Sequence, residues 1–128
     1  MENKMKNRLI LVVEDSPTHM RFITDTLKGE GYSRIITAAD GEEALVKAAE
    51  QKPHLMILDV ILPGKNGYQV CRQIRNAPDT HNIRVLMLTS KDQDSDRFWG
   101  MKQGADVYMT KPCDRADLLR HVAKLMET

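Results

Sequence analysis

Residues 55–59, Leu-Met-Ile-Leu-Asp, decide the fold, because four consecutive apolar residues run directly into a carboxylate. An apolar run of this length without alternation is typical of a strand buried on both faces, as the strands of parallel sheets are. Four more short runs of this kind lie at residues 9–13, 35–37, 85–88 and 107–109; the second is β-branched and the last is the weakest. The sequence therefore predicts five strands in one buried parallel sheet.

The segments between these runs carry the apolar spacing of amphipathic helices. Pro17 fits the first position of a helix, and Asp40 followed by Glu43 predicts a capping-box start for the second helix. Pro78 ends the third helix and Gly104 the fourth, while residues 118–126 form an amphipathic last helix. This order predicts an α/β fold, a (βα)5 doubly wound five-stranded parallel sheet with helices on both faces.

The domain organisation and the charge balance narrow the class of protein. We assign residues 8–128 to a single domain and residues 1–7 to a polar N-terminal tail. A net charge of +1, from 19 Lys and Arg against 18 Asp and Glu, argues against a strongly basic nucleic-acid-binding protein. Two cysteines are too few for a disulfide framework, and the run at 9–13 is too short for a signal peptide or membrane span. We expect a cytoplasmic protein with no membrane insertion and no direct contact with nucleic acid.

Polar side chains that could bind a ligand or take part in a reaction follow the predicted strands. Glu14 and Asp15 follow the first strand, Asp59 the third and Thr89 the fourth, and Lys111 comes shortly after the fifth. In a doubly wound sheet the carboxyl ends of the strands share one edge, and ligands bind there near the switch in strand order. We therefore expect three carboxylates, a hydroxyl and an ammonium to converge at this edge.

Three clustered carboxylates repel one another, and a divalent cation relieves that repulsion. Hard oxygen ligands suit Mg²⁺, with Mn²⁺ as an alternative. A carboxylate beside such a metal can act as a nucleophile toward phosphorus, with Lys111 supplying charge and Thr89 a hydrogen bond. Each residue alone also fits a plainer interpretation as a helix cap, a turn residue or a solvated charge. Those interpretations lose force because all of these residues fall on one predicted edge.

Other residues with reactive or binding groups are interpreted as structural. The four histidines lack the spacing of metal ligands and are expected at the surface. Cys71 fits the apolar face of its helix, Cys113 is expected to be more exposed, and Trp99 is expected to be partly buried by packing within the protein. Residues 64–67, Gly-Lys-Asn-Gly, predict a tight turn and not a phosphate-binding loop, because the glycines are too close together.

The residues at the predicted strand ends belong to several short sequence motifs. They are residues 13–16 (Val-Glu-Asp-Ser), 58–59 (Leu-Asp), 62–67 (Leu-Pro-Gly-Lys-Asn-Gly), 88–90 (Leu-Thr-Ser), 104–106 (Gly-Ala-Asp) and 108–112 (Tyr-Met-Thr-Lys-Pro). Together they resemble the receiver domain of two-component response regulators, which has a flavodoxin-like (CheY-like) fold, over residues 8–126. Within that family, residues 15–18 and 89–96 resemble the small stand-alone receivers of chemotaxis and twitching-motility systems.

The resemblance implies a chemical role for the residues at the strand ends. Asp59 matches the aspartate that is phosphorylated in this family. Glu14 and Asp15 match its acidic pair, which holds Mg²⁺ together with Asp59 and the backbone carbonyl of Ile61. Lys111 matches the lysine that accompanies this site.

Three further positions match the switch of the family and its neighbouring turn. Thr89 matches the switch hydroxyl, and Tyr108 matches the switch aromatic, which turns inward when Thr89 moves toward the phosphoryl group. Pro112 matches a proline that follows a cis peptide bond. The resemblance thus implies that phosphorylation alters the surface formed by the fourth predicted helix (about 92–103), the fifth strand and the fifth, last helix.

Three residues depart from the usual pattern of the family. Glu14 is one methylene longer than the more common aspartate, which alters its hold on the metal. Ile61 is apolar and Lys91 is basic where fast-cycling members often carry polar or acidic side chains. Because these two positions flank the path of the hydrolytic water, they predict slow self-dephosphorylation.

The implied function is a signalling switch and not a turnover enzyme. The chain would take a phosphoryl group from a histidine kinase or a phosphotransfer domain, by self-catalysed transfer, and lose it by self-catalysed hydrolysis. Its output protein would bind the surface of the receiver itself, and the receiver would be a monomer or a weak homodimer. A piece of a longer regulator is the competing interpretation.

Two other classes of function are alternatives. One is a receiver-like interaction module that works without phosphorylation, against which Asp59, Thr89 and Lys111 argue. The other is a flavodoxin-like cofactor carrier or a metal-dependent phosphohydrolase. Phosphohydrolases with a DxDx[TV] motif carry a second acid two residues after the first, and this chain has Ile61 there.

Overall fold

The computed structural model describes residues 2–128, with side chains described from Lys4 onward. The elements are α1 (Glu2–Lys6), β1 (Ile10–Val13), α2 (Pro17–Gly29), β2 (Ile35–Ala38), α3 (Gly41–Gln51), β3 (Leu55–Leu58), α4 (Gly67–Asn76), β4 (Arg84–Thr89), α5 (Asp94–Lys102), β5 (Val107–Thr110) and α6 (Arg115–Glu127). The strands pair in parallel in the order β2-β1-β3-β4-β5. This is a doubly wound flavodoxin-like order, so the predicted α/β fold is confirmed.

The strands are buried on both faces because each sends alternate side chains into two apolar cores. In β1, Leu11 and Val13 face one core, while Ile10 and Val12 face the other. The first core is covered by α3 and α4, and the second by α2 and α6; the helical residues that contribute are Ala44, Ala48, Val70, Cys71 and Ile74 on one side, and Ile23, Leu27, Leu118, Val122, Leu125 and Met126 on the other. Both faces of the sheet therefore need apolar residues, which explains why the strands are continuous apolar runs.

The helix starts follow the predicted capping signals with one difference. Asp40 accepts a hydrogen bond from the Glu43 N–H at 2.8 Å, but the Glu43 carboxylate accepts from the Ala39 N–H at 2.8 Å and not from that of Asp40. A complete capping box lies at the start of α4, where the Asn66 and Gln69 side chains each accept from the other's backbone N–H. The loop after Asp59 thus leads into a helix with a firmly fixed first turn.

The N-terminal segment, which the sequence predicts as a polar tail, is partly helical. Residues 2–6 of that segment form the short helix α1. Lys6 donates to the carbonyl of Glu30 at 2.8 Å, and Arg8 donates to the carbonyl of Met126. A polar helix of five residues has no apolar period, so its sequence gives no helical signal. Met1, the first residue of the predicted tail, lies outside the described residues.

The expected partial burial of Trp99 is wrong. In α5, all of whose residues are described, the buried residue is Gly100, so its neighbours point outward: Phe98 is 65%, Trp99 47% and Met101 46% exposed. A Cβ at position 100 would lie 2.7 Å from the ring of Tyr108, so the buried face of α5 fits only a glycine there. Residue type alone does not reveal this, because the apolar side chains of α5 lie off its contact face.

Gly67 allows a close approach that shapes the loop after Asp59. Its N–H donates to the Val60 carbonyl at 2.8 Å, and a Cβ at this position would collide with the carbonyl oxygen of Asp59. We predict that Gly67→Ala lowers the free energy of unfolding by about 2 kcal/mol, because backbone atoms cannot move aside as a side-chain end can.

The matched control for this variant is Gly29→Ala. Gly29 is an exposed residue of α2, and a Cβ there would have no neighbour within 4 Å. Because alanine is the better helix former, this control should keep or raise stability, by up to about 1 kcal/mol. Urea unfolding measures both values, and a Gly67→Ala protein as stable as the wild type would contradict the close approach.

Candidate functional site

The carboxyl edge of the sheet brings together the acidic residues that follow β1 and β3. Val13 pairs with Leu58 in the parallel register, so Glu14 and Asp59 leave neighbouring strands at the same level. These two residues are buried, whereas Asp15 is exposed. One carboxylate oxygen from each of the three lies within 4.8 Å of the others. The three carboxylates expected at this edge are thus neighbours in space.

The Lys111 ammonium lies between the two buried carboxylates. Its Nζ donates to Glu14 Oε1 at 2.7 Å and to Asp59 Oδ2 at 2.8 Å. Burial alone would lower the pKa of Lys111, but these hydrogen bonds and the two negative charges hold that pKa above its ordinary value. Lys111 is therefore a permanent counter-ion of the acidic cluster. The peptide bond that joins it to Pro112 is cis.

Both carboxylate oxygens of Glu14 are engaged. Oε1 accepts from Lys111, and Oε2 accepts from the Ser16 N–H at 3.0 Å, just before the start of α2. Burial raises the pKa of Glu14, and the charge of Asp59 adds to the rise, while the bonds from Lys111 and Ser16 oppose it without cancelling it. Glu14 thus links the lysine to the first turn of α2.

Asp59 is held from two sides. Oδ2 accepts from Lys111, and Oδ1 accepts from the Ile61 N–H at 3.1 Å. The side chain of Ile61 is 52% exposed and belongs to neither apolar core. The backbone of the loop therefore orients the carboxylate, while the Ile61 side chain is largely in solvent.

Thr89 and Tyr108 are both tied to the backbone of Lys91. Thr89 is fully buried, and its Oγ1 accepts from the Lys91 N–H at a long 3.4 Å. The Tyr108 hydroxyl donates to the Lys91 carbonyl at 2.8 Å. One peptide segment after β4 thus connects the Thr89 hydroxyl, at the end of β4, to an aromatic ring on β5.

The inward orientation of Tyr108 that the family resemblance ties to phosphorylation is already present. The ring is 5% exposed, it packs against Gly100, and the Arg97 guanidinium lies 5.3 Å from its centroid. Burial raises the pKa of Tyr108, and the neighbouring Tyr68 and Asp96 add to that rise, so the hydroxyl stays protonated. A change at Thr89 would therefore act on the backbone of Lys91, to which Tyr108 is hydrogen-bonded. It would not change the burial of the Tyr108 ring.

The acidic cluster fits a hard divalent cation on chemical grounds. Three carboxylates and one ammonium leave a formal charge of −2 among Glu14, Asp15, Asp59 and Lys111. Oxygen ligands in this number, one of them exposed, suit Mg²⁺, which keeps part of its water shell. A divalent ion would bring the formal charge of the cluster to zero.

His19, which the sequence predicts only to be at the surface, is a neighbour of the site. Its Nδ1 lies 3.0 Å from Lys111 Nζ. The signal that could have found it is its position in the first turn of the helix that follows the acidic pair. His54, also expected at the surface, is half-buried, and its Nε2 lies 3.1 Å from the Leu125 carbonyl oxygen.

The remaining reactive residues lie away from this cluster. Cys71 is buried, and burial raises the pKa of its thiol to about 11, so it is an inert core residue. Cys113 is half-buried, and burial raises the pKa of its thiol as well. Across residues 2–128, no helix has the length and apolar character needed to cross a membrane.

Comparison with known proteins finds a family model and curated proteins that match most of this chain. The family model described as response regulator receiver domain matches residues 10–123. Protein PilH of Pseudomonas aeruginosa is 39% identical over 113 residues, which cover 88% of this chain and 93% of that protein. The alkaline phosphatase synthesis transcriptional regulatory protein PhoP of Bacillus subtilis is 46% identical over 106 residues, which cover 83% of this chain but only 43% of that protein.

A solved structure shows the same fold. The receiver domain of the sensor histidine kinase PA1611 of Pseudomonas aeruginosa is 30% identical, with a TM-score of 0.88 over 95% of this chain and 99% of that one. That structure has a magnesium ion coordinated in its active site cleft.

The raised pKa of Glu14 generates a prediction about stability and pH. The folded chain holds this proton more tightly than the unfolded chain, so the contribution is full below the ordinary pKa of 4.5 and is lost as the pH rises through the raised value. Glu14→Gln removes the buried charge and keeps its amide oxygen as an acceptor for Lys111, but it loses the bond from the Ser16 N–H, because an amide nitrogen cannot accept. Without metal at neutral pH, it should raise the free energy of unfolding by about 1 kcal/mol, and the gain should vanish near pH 4.

Urea unfolding in a chelating buffer across this pH range measures the difference. Glu50→Gln, at an exposed position of α3, is the control and should change stability little at any pH. A Glu14→Gln protein that is less stable than the wild type at neutral pH would contradict the account of Glu14.

Proposed function

Since the chain belongs to the response regulator receiver domains of two-component signalling, we propose that it is a switch that works by phosphorylation of Asp59. The observation that carries this proposal is the buried Asp59 carboxylate, held by Lys111 at 2.8 Å beside two further acids at the switch in strand order. The proposed donor is a histidine kinase or a phosphotransfer domain. The phosphoryl group would be lost again by hydrolysis, so the chain is a signalling protein and not a turnover enzyme.

We assign the metal site to Glu14, Asp15 and Asp59 with the backbone carbonyl of Ile61, and its ion to Mg²⁺, with Mn²⁺ as the alternative. The clustering of three carboxylate oxygens and their formal charge support this assignment. When bound, the ion supplies positive charge to the oxygens of the phosphoryl group. The magnesium ion in the PA1611 receiver supports the choice of metal.

The residues of this chain would share the work of phosphoryl transfer. A carboxylate oxygen of Asp59 forms the new bond to phosphorus, while the bond from phosphorus to the donor's imidazole nitrogen breaks and that nitrogen keeps the electron pair. The Ile61 N–H orients the carboxylate, and Lys111 stabilises the negative charge on the phosphoryl oxygens. The Thr89 hydroxyl donates a hydrogen bond to one of those oxygens.

Loss of the phosphoryl group is proposed to be slow. Hydrolysis needs a water molecule aligned opposite the Asp59 oxygen. The apolar side chain of Ile61, two residues after Asp59, is 52% exposed, and the Lys91 ammonium is 3.7 Å from Asp96 and therefore directed to α5. Neither side chain offers an acceptor that would orient the water.

The output is proposed to leave through the α5–β5–α6 face, formed by residues 94–102, 107–110 and 115–127. When Thr89 turns to the phosphoryl group, it gives up its long bond to the Lys91 N–H, and Tyr108 holds the carbonyl of the same residue. The segment before α5 is therefore biased by the state of Asp59. The exposed apolar side chains of α5 then offer a partner a contact surface.

Pathway and location follow from the same proposal. The match to Protein PilH over 93% of that protein's length supports a small receiver of the chemotaxis or pilus-based motility kind. The free thiols of Cys71 and Cys113 support a cytoplasmic location. A monomer or a weak homodimer is the expected oligomeric state.

The phosphoacceptor is tested by mass spectrometry after treatment with acetyl phosphate and Mg²⁺. We expect one added phosphoryl group, released by hydroxylamine, on Asp59, and none in Asp59→Asn or after chelation of the metal. Asp15→Asn is the matched control: it keeps Asp59 and Lys111 but lacks one metal ligand, so it should lose labelling by at least about tenfold. A modification that persists in Asp59→Asn would contradict the assignment, and an unlabelled wild type would favour the phosphorylation-independent module.

The output path is tested by amide NMR with and without beryllofluoride and Mg²⁺. In the wild type we expect shifts at the acidic cluster and also in residues 91–110, because a coupling of about 1–3 kcal/mol links the two. Thr89→Ala should keep the shifts near Asp59 and lose most of those in α5 and β5. Shifts confined to the acidic cluster in the wild type would defeat the proposed face.

A further inference from the structure

Lys111 has a third hydrogen-bond partner outside the acidic cluster, on the first turn of α2. Its Nζ lies 3.0 Å from His19 Nδ1, in addition to its contacts with Glu14 and Asp59. A lysine ammonium has three N–H donors. All three are therefore directed at acceptors, which fixes the rotation of the ammonium about its last carbon–nitrogen bond.

The direction of this bond determines the tautomer of His19. An ammonium can only donate, so Nδ1 must accept, and the imidazole proton must lie on Nε2. A protonated imidazole has no lone pair at Nδ1 and would place a second positive charge against Lys111. The contact therefore exists only with neutral His19.

The contact closes a ring of hydrogen bonds that joins α2 to the site. Glu14 Oε2 accepts from the Ser16 N–H at 3.0 Å, and Ser16 Oγ accepts from the His19 N–H at 3.3 Å as the cap of α2. His19 then accepts from Lys111, which donates back to Glu14 at 2.7 Å. The capped first turn thus places the imidazole relative to the ammonium.

The surroundings of His19 offer the ammonium few other acceptors. A cavity of about 470 Å³ separates α2 from the residues after β4 and β5, and Phe22, Ile23, Leu88 and Pro112 give it a largely apolar lining. The titratable groups across it are Lys111 and Cys113, with Glu14 and Asp59 behind the lysine. The hydroxyls of Thr18 and Ser90 complete the lining.

We propose that His19 is a positioning residue that orients the Lys111 ammonium toward Asp59; this inference rests on the proposed function of Asp59 as phosphoacceptor. Neutral His19 holds one N–H of the ammonium, which directs the other two at the carboxylates where the phosphoryl oxygens arrive. Loss of the third acceptor frees the ammonium to rotate. Phosphoryl acceptance should therefore fall when His19 is replaced by a side chain that offers no acceptor.

The first test observes the ammonium directly and needs no phosphorylation. The ¹⁵N-correlated signal of the Lys111 NH₃⁺ group is compared at one neutral pH in the wild type, His19→Asn and His19→Ala. An ammonium whose three N–H groups are all hydrogen-bonded is protected from exchange with water and gives a sharp signal. We expect this sharp signal in the wild type.

The two variants separate positioning from structure. Asparagine keeps an acceptor, so His19→Asn should retain the protected signal. His19→Ala has no acceptor at this position and should give a broad signal. Because His19 is exposed, both variants should retain the amide spectrum of the cores. Indistinguishable Lys111 signals in the wild type and His19→Ala would overturn the inference.

The second test measures the rate of labelling by acetyl phosphate and Mg²⁺ in the same three proteins. The wild type and His19→Asn should be labelled at similar rates, and His19→Ala roughly threefold to tenfold more slowly. Equal rates for all three proteins would overturn the inference. A failure of labelling in all of them would instead overturn the proposed phosphoacceptor, while the Lys111 signal still decides the role of His19.

Discussion

The ion pair of Lys111 with Glu14 and Asp59 is the interaction on which the carboxyl edge of the sheet depends. Two carboxylates leave neighbouring central strands and are buried side by side, an arrangement that self-repulsion and lost hydration both oppose. Lys111 is 97 residues from Glu14 and 52 from Asp59 along the chain, so its two bonds join the end of the last strand to the middle of the sheet. Removing the cation would leave both charges uncompensated, which for a buried pair costs about 3–5 kcal/mol.

The same ion pair leaves part of the negative charge of the unphosphorylated site uncompensated. The ammonium compensates for only part of this charge. Burial still disfavours the charged form of Glu14, and the pKa of Glu14 is raised for that reason. The remaining charge gives the cluster an affinity for a cation, and the arrangement of Lys111 gives it an affinity for the oxygens of a phosphoryl group. Thr89 is fully buried at the end of β4, with a weak bond from the Lys91 N–H that leaves its hydroxyl proton free for a stronger acceptor.

The sequence predicts the sheet well because its physical signal is strong. Runs such as residues 55–58 must be apolar on both faces, and their carboxyl ends must meet at one edge, so Glu14, Asp59 and Lys111 could be placed together before any coordinates. The helix α1 could not be predicted, because it has no apolar period and its last residue, Lys6, is held by a bond to the distant carbonyl of Glu30. The exposure of Trp99, the buried ring of Tyr108 and the contact of His19 with Lys111 depend on which face of a helix meets its neighbour. That information is absent from residue types and arises only from packing.

The single buried glycine of α5 has a consequence for the energetics of the whole domain. Most of the free energy that stabilises α2, α3, α4 and α6 comes from apolar side chains that enter the two cores, whereas Gly100 is the buried residue of α5, a fully described helix. Such an element can open by itself, at a cost far below that of global unfolding, while the sheet stays folded. Its amides would exchange with solvent early and in concert. The receiver thus combines a rigid chemical edge with one cooperative unit of low local stability, which a partner can remodel without disturbing the rest.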